Sequence, residues 1–271
     1  MEIAPLDQGF GARVTGFDLE RGGTASEISA LQAAFDQYHL LIIAGAGVIC
    51  GERHAEIASW FGPVGANRDA DGRLWTYLDN RDTVGRNELK FHSDISFMPE
   101  PFLGLSLHPV ALPEGVTETS FISTALGWDA LDQDLCDLLA NRNVKHEFLD
   151  ESTVSDAFQN LHSWHPARMA HPRSGRPVLF VSENNVREIE GFGREASAPL
   201  LERIFATLYA PERRYDHRWQ AGDFLVWDNR TLQHARPKVA DPADGPRVMQ
   251  RVALGTLSFA EQFEARRPAM A

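Results

Sequence analysis

The chain has 271 residues, of which 43% are hydrophobic and 24% charged, and its formal net charge is −12. This length predicts one large domain over residues 1–271. The negative net charge argues against a nucleic-acid-binding protein, and the lack of an apolar run of about 18 residues argues against a membrane-spanning one. Two widely separated cysteines, Cys50 and Cys136, and the lack of a basic-then-apolar leader predict a cytoplasmic protein without structural disulfides.

The first half of the chain predicts helices on either side of a buried strand. The tetrapeptide Thr-Ala-Ser-Glu at residues 24–27 is typical of a capping box, and apolar residues at helical spacing follow it. Four apolar residues at 40–43 predict a short buried strand, and residues 52–61 predict a second helix that ends before a Gly-Pro pair. Residues 64–90 are polar and irregular, which is typical of a lid or binding loop.

The second half predicts short strands and two further helices. Strands are expected at residues 102–107, 117–122, 178–181, 224–227 and 247–257. One helix is expected over residues 126–140 and another from Ser197, which we expect to cap it. Residues 148–170 predict irregular structure. Many short strands with few helices predict an α+β fold, in the form of a β-barrel or jelly roll with flanking helices.

A candidate metal site begins at His92 and Asp94. Residues two apart in an extended segment direct their side chains to the same side, so this imidazole and this carboxylate are two candidate ligands. His234 is the best candidate for a third. Two histidines and one carboxylate on one face of a metal leave the other positions open, as in non-haem Fe(II) oxygenases. The alternative is a buried histidine hydrogen-bonded to a carboxylate, which is the commoner meaning of so short a motif.

Two arginines near the end of the chain are candidate anion-binding groups. Arg247, Met249 and Arg251 alternate along the last predicted strand, so their side chains share one face. A guanidinium turned into a core is costly unless it meets an anion, and it can hold a carboxylate by two parallel hydrogen bonds. Because the net charge is −12, arginines that bind an anionic ligand must be concentrated in a pocket. The alternative is an ion pair with one of the 38 acidic residues.

Several sequence blocks together are more specific than His-x-Asp alone. They are Phe-His-Ser-Asp-Ile-Ser-Phe at 91–97, Gly-Asp-Phe-Leu-Val-Trp-Asp-Asn-Arg at 222–230 followed by His234, the segment 11–19, Phe-Gly-Pro at 61–63, and the histidine blocks at 165–166 and 171–176. Through these blocks nearly the whole chain resembles the Fe(II)/2-oxoglutarate-dependent dioxygenases of the taurine dioxygenase and 2,4-dichlorophenoxyacetate dioxygenase family. The resemblance implies a double-stranded β-helix, that is, a jelly roll with flanking helices.

The resemblance also implies roles for individual residues. The three iron ligands would be His92, Asp94 and His234. Arg247 matches the arginine that holds the distal carboxylate of 2-oxoglutarate, and Thr119 matches a threonine that hydrogen-bonds the same carboxylate. Arg251 matches a second arginine, which in taurine dioxygenase contacts the substrate sulfonate. His165 and His171 lie in blocks that look structural, so they are not counted as ligands.

The expected substrate pocket differs from that of taurine dioxygenase. That enzyme has a sulfonate-binding histidine after its Phe-Gly block, whereas residues 63–69 contain none. Asn185 stands where it has a pocket phenylalanine, which predicts a more polar pocket. We therefore predict a small carboxylate, or in second place a sulfonate, held by Arg251 with Asn185 nearby. The presence of Asp94 disfavours the halogenating relatives, which lack this carboxylate.

The implied reaction needs Fe(II), 2-oxoglutarate and O2 and releases succinate and CO2. Hydroxylation is the default outcome, although desaturation or another oxidation would use the same residues. Two alternatives stay open: a zinc-dependent hydrolase could use the same two histidines and one carboxylate, and a jelly-roll binding protein would not need them. Release of succinate and CO2 separates the oxygenase from both. The sequence also leaves open the substrate's identity and the choice between a monomer and a homo-oligomer.

Overall fold

Runs of consecutive strands are separated by a few helices along the chain. A computed structural model describes residues 1–45, 47–69, 71–82, 87–114, 117–148, 161–237 and 241–266. The helices are α1 Ala25–Tyr38, α2 Gly51–Ser59, α3 Thr124–Asp129, α4 Gln133–Leu139, α5 Gly193–Leu208 and α6 Phe259–Arg266, with 3₁₀ helices at Pro211–Arg213 and Pro242–Asp244. Within the described ranges, no helix is both long and apolar enough to span a membrane. The strands are β1 Glu2–Pro5, β2 Ala12–Thr15, β3 Leu40–Ile43, β4 Thr76–Asp79, β5 Leu89–His92, β6 Gly104–Ala111, β7 Glu118–Ser123, β8 Asn143–Glu147, β9 His162–Pro166, β10 Arg168–Ala170, β11 Pro177–Leu179, β12 Val186–Ile189, β13 Tyr215–Arg218, β14 Phe224–Asp228, β15 Leu232–Arg236 and β16 Val248–Leu254.

Most of these strands belong to two large sheets. The larger has seven strands in the order β1-β2-β3-β14-β6-β16-β4, with β2 and β3 parallel and the other neighbours antiparallel. The smaller has four antiparallel strands in the order β13-β7-β15-β5. A three-stranded sheet, β12-β8-β9, and the hairpin β10-β11 accompany them. The result is a sheet-dominated α+β fold.

The two large sheets pack face to face around a shared core. Trp227 of β14 and Phe121 of β7 lie on the facing sides, with ring centroids 5.4 Å apart. β3 is buried on both faces: Leu40 and Ile42 point between the sheets, and the alternate residues pack beneath α1 and α2. A strand covered on both faces carries an uninterrupted apolar run, which is why its sequence shows no alternation.

A second core covers the outer face of the four-stranded sheet. Ile122 of β7 and Ala235 of β15 face outward and join an apolar cluster with α5. The α5 members of that cluster are Leu201, Ile204 and Leu208. Because side chains alternate along a strand, His234 lies on the opposite, inner face of β15, with its ring centroid 4.9 Å from that of Trp227.

The predicted start of the first helix is confirmed. The Thr24 side chain accepts a hydrogen bond from the backbone N–H of Glu27, and the Glu27 carboxylate accepts one from the backbone N–H of Thr24. These two reciprocal bonds satisfy donors that a helix end otherwise leaves free. The buried strand at Leu40–Ile43 is confirmed as well, and the second helix spans Gly51–Ser59.

The single helix expected over residues 126–140 is wrong, because the chain forms α3 and α4 there. Ser123 caps α3 by accepting a hydrogen bond from the backbone N–H of Leu126. The irregular structure expected over residues 148–170 is also wrong in its described part, which contains β9 and β10. Residues 149–160 lie outside the described ranges.

Ser197 does not cap a helix, because α5 begins at Gly193 and already contains it. The hydroxyl of Ser197 donates to the carbonyl of Gly193 at 2.6 Å and accepts from the backbone N–H of Ile189 at 2.9 Å. The serine therefore joins the helix to the end of β12 from within its first turns. A serine inside a helix looks like a cap in sequence because both positions use the same hydroxyl chemistry.

The polar segment at residues 64–90 is partly attached to the larger sheet. β4 lies within it and pairs with β16, so that Leu78 is opposite Met249. Val64 forms a bridge with Gly255. Residues 70 and 83–86 lie outside the described ranges, and the lid stays a prediction.

Candidate metal centre and anion-binding residues

Strand register brings the two candidate imidazole ligands together. His92 ends β5 and His234 lies directly opposite it on β15, with ring centroids 4.3 Å apart. Asp94 follows β5, and its Oδ1 is 3.1 Å from Nε2 of His92 and 3.5 Å from Nε2 of His234. One ligand atom from each residue lies within 4.8 Å of the others. The three side chains are 11–14% exposed, so the cluster is largely buried.

The protonation of these groups suits a divalent cation. Nδ1 of His92 donates to the carbonyl of Lys90 at 2.8 Å, which leaves the lone pair of Nε2 directed at Asp94. Burial, with a smaller contribution from the neighbouring His92, lowers the pKa of His234 to about 3. Burial alone would raise the pKa of Asp94, but the Arg251 guanidinium beside it holds that pKa well below its usual range. Two imidazole lone pairs thus converge on an ionised carboxylate, which is the donor set of a non-haem iron site.

Arg251 reaches the same carboxylate from the opposite sheet. Its Nη2 is 3.3 Å from Oδ2 of Asp94, and its guanidinium lies 5.6 Å above the ring of Phe102. Two acidic residues that could have served as internal partners of Arg251, Glu118 and Glu183, pair with Arg218 and Lys90 instead. Nε of Arg251 is buried and has no hydrogen-bond partner among the described residues. The structure therefore places one Arg251 donor on the candidate metal ligand and leaves another for a ligand.

Arg247 is a buried cation whose guanidinium is only partly satisfied. The residue is 2% exposed, and its Nε donates to Oγ1 of Thr117 at 2.7 Å. Its Nη1 has no hydrogen-bond partner in the described part of the chain. Burial and the nearby Arg236 lower the pKa of Arg247 to about 10, which still leaves it charged at neutral pH. A buried, fixed guanidinium with a free donor fits a carboxylate ligand.

The two predicted residues Thr119 and Asn185 have local hydrogen bonds. Thr119 lies two residues before Phe121, on the inner face of β7, and its Oγ1 accepts from Nε1 of Trp219 at 2.9 Å. Its own hydroxyl hydrogen can still be donated. Nδ2 of Asn185 donates to the carbonyl of Glu147 at 3.0 Å, which ties the start of β12 to β8. The threonine bonded to Arg247 is Thr117 rather than Thr119, and both roles inferred from the resemblance stay predictions.

Sequence reasoning missed two buried polar residues beside the candidate ligands. Arg236 is 7% exposed, donates through Nε to the carbonyl of Asn87 at 2.7 Å, and has its pKa lowered to about 10 by burial. Its position two residues after His234 on one strand was an available signal. Asn229 contacts the backbone of Asp94 and had no signal beyond its place in the block at 222–230.

A second group of candidate metal ligands consists of His39, His171 and Asp228, all of them buried. Its carboxylate is committed to other partners. Oδ2 of Asp228 is 3.0 Å from Nε2 of His171 and 3.2 Å from Arg173, while Oδ1 accepts hydrogen bonds from residues 230 and 231. Since the guanidinium already neutralises this carboxylate, the group is better suited to holding the β14–β15 turn than to binding a metal ion.

Residues 2–253 match the family described as "Taurine catabolism dioxygenase TauD, TfdA family". The chain belongs to this family. The TauD/TfdA-family protein is accordingly an oxidoreductase that uses Fe(II), 2-oxoglutarate and O2, and the zinc hydrolase alternative is not favoured.

Relatives of this TauD/TfdA-family protein cover most of its length. It is 29% identical over 255 residues to a (S)-phenoxypropionate/alpha-ketoglutarate-dioxygenase of Sphingobium herbicidovorans, covering 86% of the chain and 88% of the relative. It is 28% identical over 262 residues to an alpha-ketoglutarate-dependent 2,4-dichlorophenoxyacetate dioxygenase of Cupriavidus pinatubonensis, covering 85% and 90%. The crystal structure of a taurine dioxygenase from Burkholderia xenovorans is similar with a TM-score of 0.79 at 25% identity, covering 93% of this chain and 90% of that one.

Proposed function

We propose that this TauD/TfdA-family dioxygenase oxidises a small organic carboxylate, with hydroxylation as the default outcome. The observation that carries the proposal is the convergence of His92, Asp94 and His234, with Arg251 beside the same carboxylate. Two relatives are named for phenoxypropionate and 2,4-dichlorophenoxyacetate, both of which are carboxylates. A sulfonate is the second substrate class, and the lack of a histidine in residues 63–69 ranks it below the carboxylate.

The three converging side chains would hold the metal. His92, Asp94 and His234 would supply three ligand atoms, which lie within 4.8 Å of one another, and three ligands of this kind would leave further metal positions for 2-oxoglutarate and O2. When bound, Fe(II) with 2-oxoglutarate and O2 supplies the oxidation, which yields succinate, CO2 and an oxidised substrate. The contact of Arg251 with Oδ2 of Asp94 leaves Oδ1 turned to the imidazoles and so favours a single carboxylate oxygen as ligand.

The two arginines would hold the two organic anions. Arg247 would bind the distal carboxylate of 2-oxoglutarate through its free Nη1, with Thr119 as a further donor. Because Thr117 already anchors Nε of Arg247, little ordering is required when the anion arrives. Arg251 would bind the substrate anion through Nε, and Asn185 would line the more distant part of the pocket.

We also infer that residues 1–271 form one dioxygenase domain with a double-stranded β-helix, or jelly-roll, core. The face-to-face packing of the seven- and four-stranded sheets supports this architecture. The family match over residues 2–253 supports a single unit. A cytoplasmic location stays a prediction from the cysteine content. Assembly as a homo-oligomer also stays a prediction, which a light-scattering measurement of the molar mass in solution would test.

Succinate formation tests the proposed function. The Fe(II)-loaded protein should be screened with 2-oxoglutarate, O2 and a panel of small carboxylates, sulfonates and uncharged analogues. We expect a carboxylate to stimulate succinate and CO2 release most strongly, and we expect Arg251→Ala to lose that stimulation because the guanidinium no longer meets the anion. Asp94→Ala should lose nearly all turnover. Asp129→Ala, which removes a surface carboxylate paired with Arg176, is the matched control.

Two results would contradict the proposal. Full activity of a folded Asp94→Ala protein would remove the metal assignment. An uncharged compound that proves the best substrate, and that Arg251→Ala handles as well as the wild type, would remove the anion-binding role of Arg251.

A further inference from the structure

The loop that carries Asp94 leaves β5 in a conformation that needs support. Ile95, the next residue, has a φ of 50°, in the left-handed region that a β-branched side chain rarely adopts. A loop in such a conformation persists where its surroundings hold it. The contacts around the backbone of Asp94 therefore determine how its carboxylate is aimed.

The side-chain amide of Asn229 makes these contacts. Its Oδ1 accepts from the backbone N–H of Asp94 at 2.9 Å, and its Nδ2 donates to the backbone carbonyls of Asp94 at 3.1 Å and Phe102 at 3.0 Å. Asn229 is 0% exposed, so solvent does not compete for these hydrogen bonds. One amide thus fixes both backbone polar groups of the residue that supplies the candidate carboxylate ligand.

The turn that presents Asn229 is itself held in place. Oδ1 of Asp228 accepts from the backbone N–H groups two and three residues later, at 2.9 and 3.0 Å. The backbone N–H of Asn229 donates to the carbonyl of Leu103 at 3.0 Å. β15 starts just after this turn and carries His234. The β14–β15 turn therefore helps to position two candidate ligands. It leads directly into β15, which carries His234, and its Asn229 side chain is hydrogen-bonded to the backbone of Asp94.

We propose that Asn229 is a positioning residue for the metal centre, which holds the backbone of Asp94 so that its carboxylate faces the two imidazoles. This inference rests on the proposed metal site, but it assigns a role to a residue outside the ligand set. Groups that orient a metal ligand typically contribute about 10- to 100-fold to metal affinity. We expect loss of the Asn229 amide to weaken metal binding by a factor in that range.

Gln262 of α6 offers a matched control. Its side-chain amide makes the same pair of hydrogen bonds with the backbone of Glu100, accepting from the N–H at 2.9 Å and donating to the carbonyl at 2.9 Å. Gln262 is also buried, at 6% exposure. Glu100 is outside the candidate ligand set. Gln262→Ala therefore removes an equivalent pair of hydrogen bonds to the loop between β5 and β6, which also carries Asp94, without altering the contacts of the Asp94 backbone.

The test measures metal binding without turnover. Mn(II) affinity is determined by electron paramagnetic resonance in the absence of 2-oxoglutarate and O2, and the absorption spectrum of the Co(II)-loaded protein reports the coordination geometry. We expect Asn229→Ala to weaken Mn(II) binding about 10- to 100-fold and to change the Co(II) spectrum. Gln262→Ala should match the wild type in both measurements, although each variant should unfold at a lower temperature.

The positioning role would be overturned if Asn229→Ala and the wild type had the same Mn(II) affinity and the same Co(II) spectrum. It would also be overturned if Gln262→Ala lost as much Mn(II) affinity as Asn229→Ala. If Asn229→Ala does not fold, Asn229→Asp takes its place, because aspartate keeps the side-chain volume and the acceptor oxygen but lacks the N–H donors. Unchanged metal binding in Asn229→Asp would contradict the proposal as well. A wild-type protein that binds neither metal would refute the proposed metal centre itself, which separates the two failures.

Discussion

Arg247 differs in its surroundings from arginines at the surface of the molecule. Arg203, for example, is 46% exposed and pairs with Asp132 and Asp134. Arg247 is buried, bonds to a threonine hydroxyl, and has no described carboxylate partner. Surface pairs contribute little to stability, whereas a buried cation without an anion is unfavourable. The residue is therefore better explained by an anionic ligand than by the folded chain alone.

Arg247→Ala should raise the 2-oxoglutarate concentration needed for half-maximal succinate formation by about one to two orders of magnitude, because a charge-assisted hydrogen bond is worth about 1.5–3 kcal/mol. Mn(II) affinity should stay at the wild-type value, since Arg247 is not a candidate ligand. Arg218→Ala, which removes an arginine that is 75% exposed and paired with Glu118, is the control. A 2-oxoglutarate titration identical to that of the wild type would exclude Arg247 from the cosubstrate site.

At the scale of elements, the register of β5 and β15 decides whether a metal centre can form. His92 and His234 are opposite each other, and a slip of one residue would turn His234 to the outer face where Ala235 now packs. The outer face is covered by an apolar cluster that includes α5. Burial of that face therefore favours the register that keeps both imidazoles on the inner side.

Ser197→Ala should destabilise the junction of α5 with β12. The change leaves the buried N–H of Ile189 without its acceptor, which costs about 1–3 kcal/mol. For a protein of this size, each kcal/mol lowers the melting temperature by roughly 2–4 °C. Ser59→Ala, which removes an exposed hydroxyl, should melt close to the wild type. Wild-type stability of Ser197→Ala in a thermal melt would show that the N–H finds another acceptor.

Over the whole molecule, charge is distributed unevenly between the surface and the interior. The chain carries a net charge of −12, yet Arg236 and Arg247 are 7% and 2% exposed, and Arg251 contacts a candidate metal ligand nearby. These three guanidiniums concentrate positive charge beside the candidate metal ligands, which suits small anions that can enter, whereas the net negative charge of the chain would repel a large polyanion. This distribution supports 2-oxoglutarate and a small carboxylate as the two organic ligands.

The buried histidines predict how stability depends on pH. Burial lowers the pKa of His54 to about 3, of His146 to about 3 and of His39 to about 4. Between the ordinary histidine pKa of about 6.5 and these values, the unfolded chain binds protons that the folded protein does not. The free energy of unfolding should therefore fall as the pH decreases from about 6.5 toward 4, by up to about 1.4 kcal/mol per pH unit for each histidine.

Urea denaturation of the metal-free protein at several pH values measures this slope. Both ring nitrogens of His54 are hydrogen-bonded, to Gln250 at 2.9 Å and to Ser106 at 2.7 Å. The variant His54→Asn replaces the ring with a neutral amide, which can also donate and accept hydrogen bonds but does not titrate. The variant should be less stable than the wild type at pH 7 but should show a shallower fall toward pH 4. Equal slopes for the two proteins would show that His54 does not take up a proton on unfolding.

Features that depend on neighbouring residues could be predicted from the amino-acid sequence: the capping box of α1, the buried strand at Leu40–Ile43, and the proximity of His92 to Asp94. The family could be predicted too, because several sequence blocks match together. These features are local, so spacing and side-chain chemistry suffice to predict them. The internal position of Ser197 was mispredicted because a hydroxyl can serve either as a helix cap or as a tertiary contact. The break between α3 and α4 was missed as well, and the residue before α4, Asp132, makes no side-chain capping hydrogen bond.

The tertiary structure shows which groups each candidate site residue contacts. It placed His234 opposite His92, bonded Arg247 to Thr117, paired Arg251 with Asp94, and brought the amide of Asn229 to the backbone of that aspartate. Such contacts join strands and turns distant in sequence, and their geometry follows from sheet register and from the packing of two cores. Because a shift of one residue in a strand exchanges its two faces, residue types alone do not specify which groups meet.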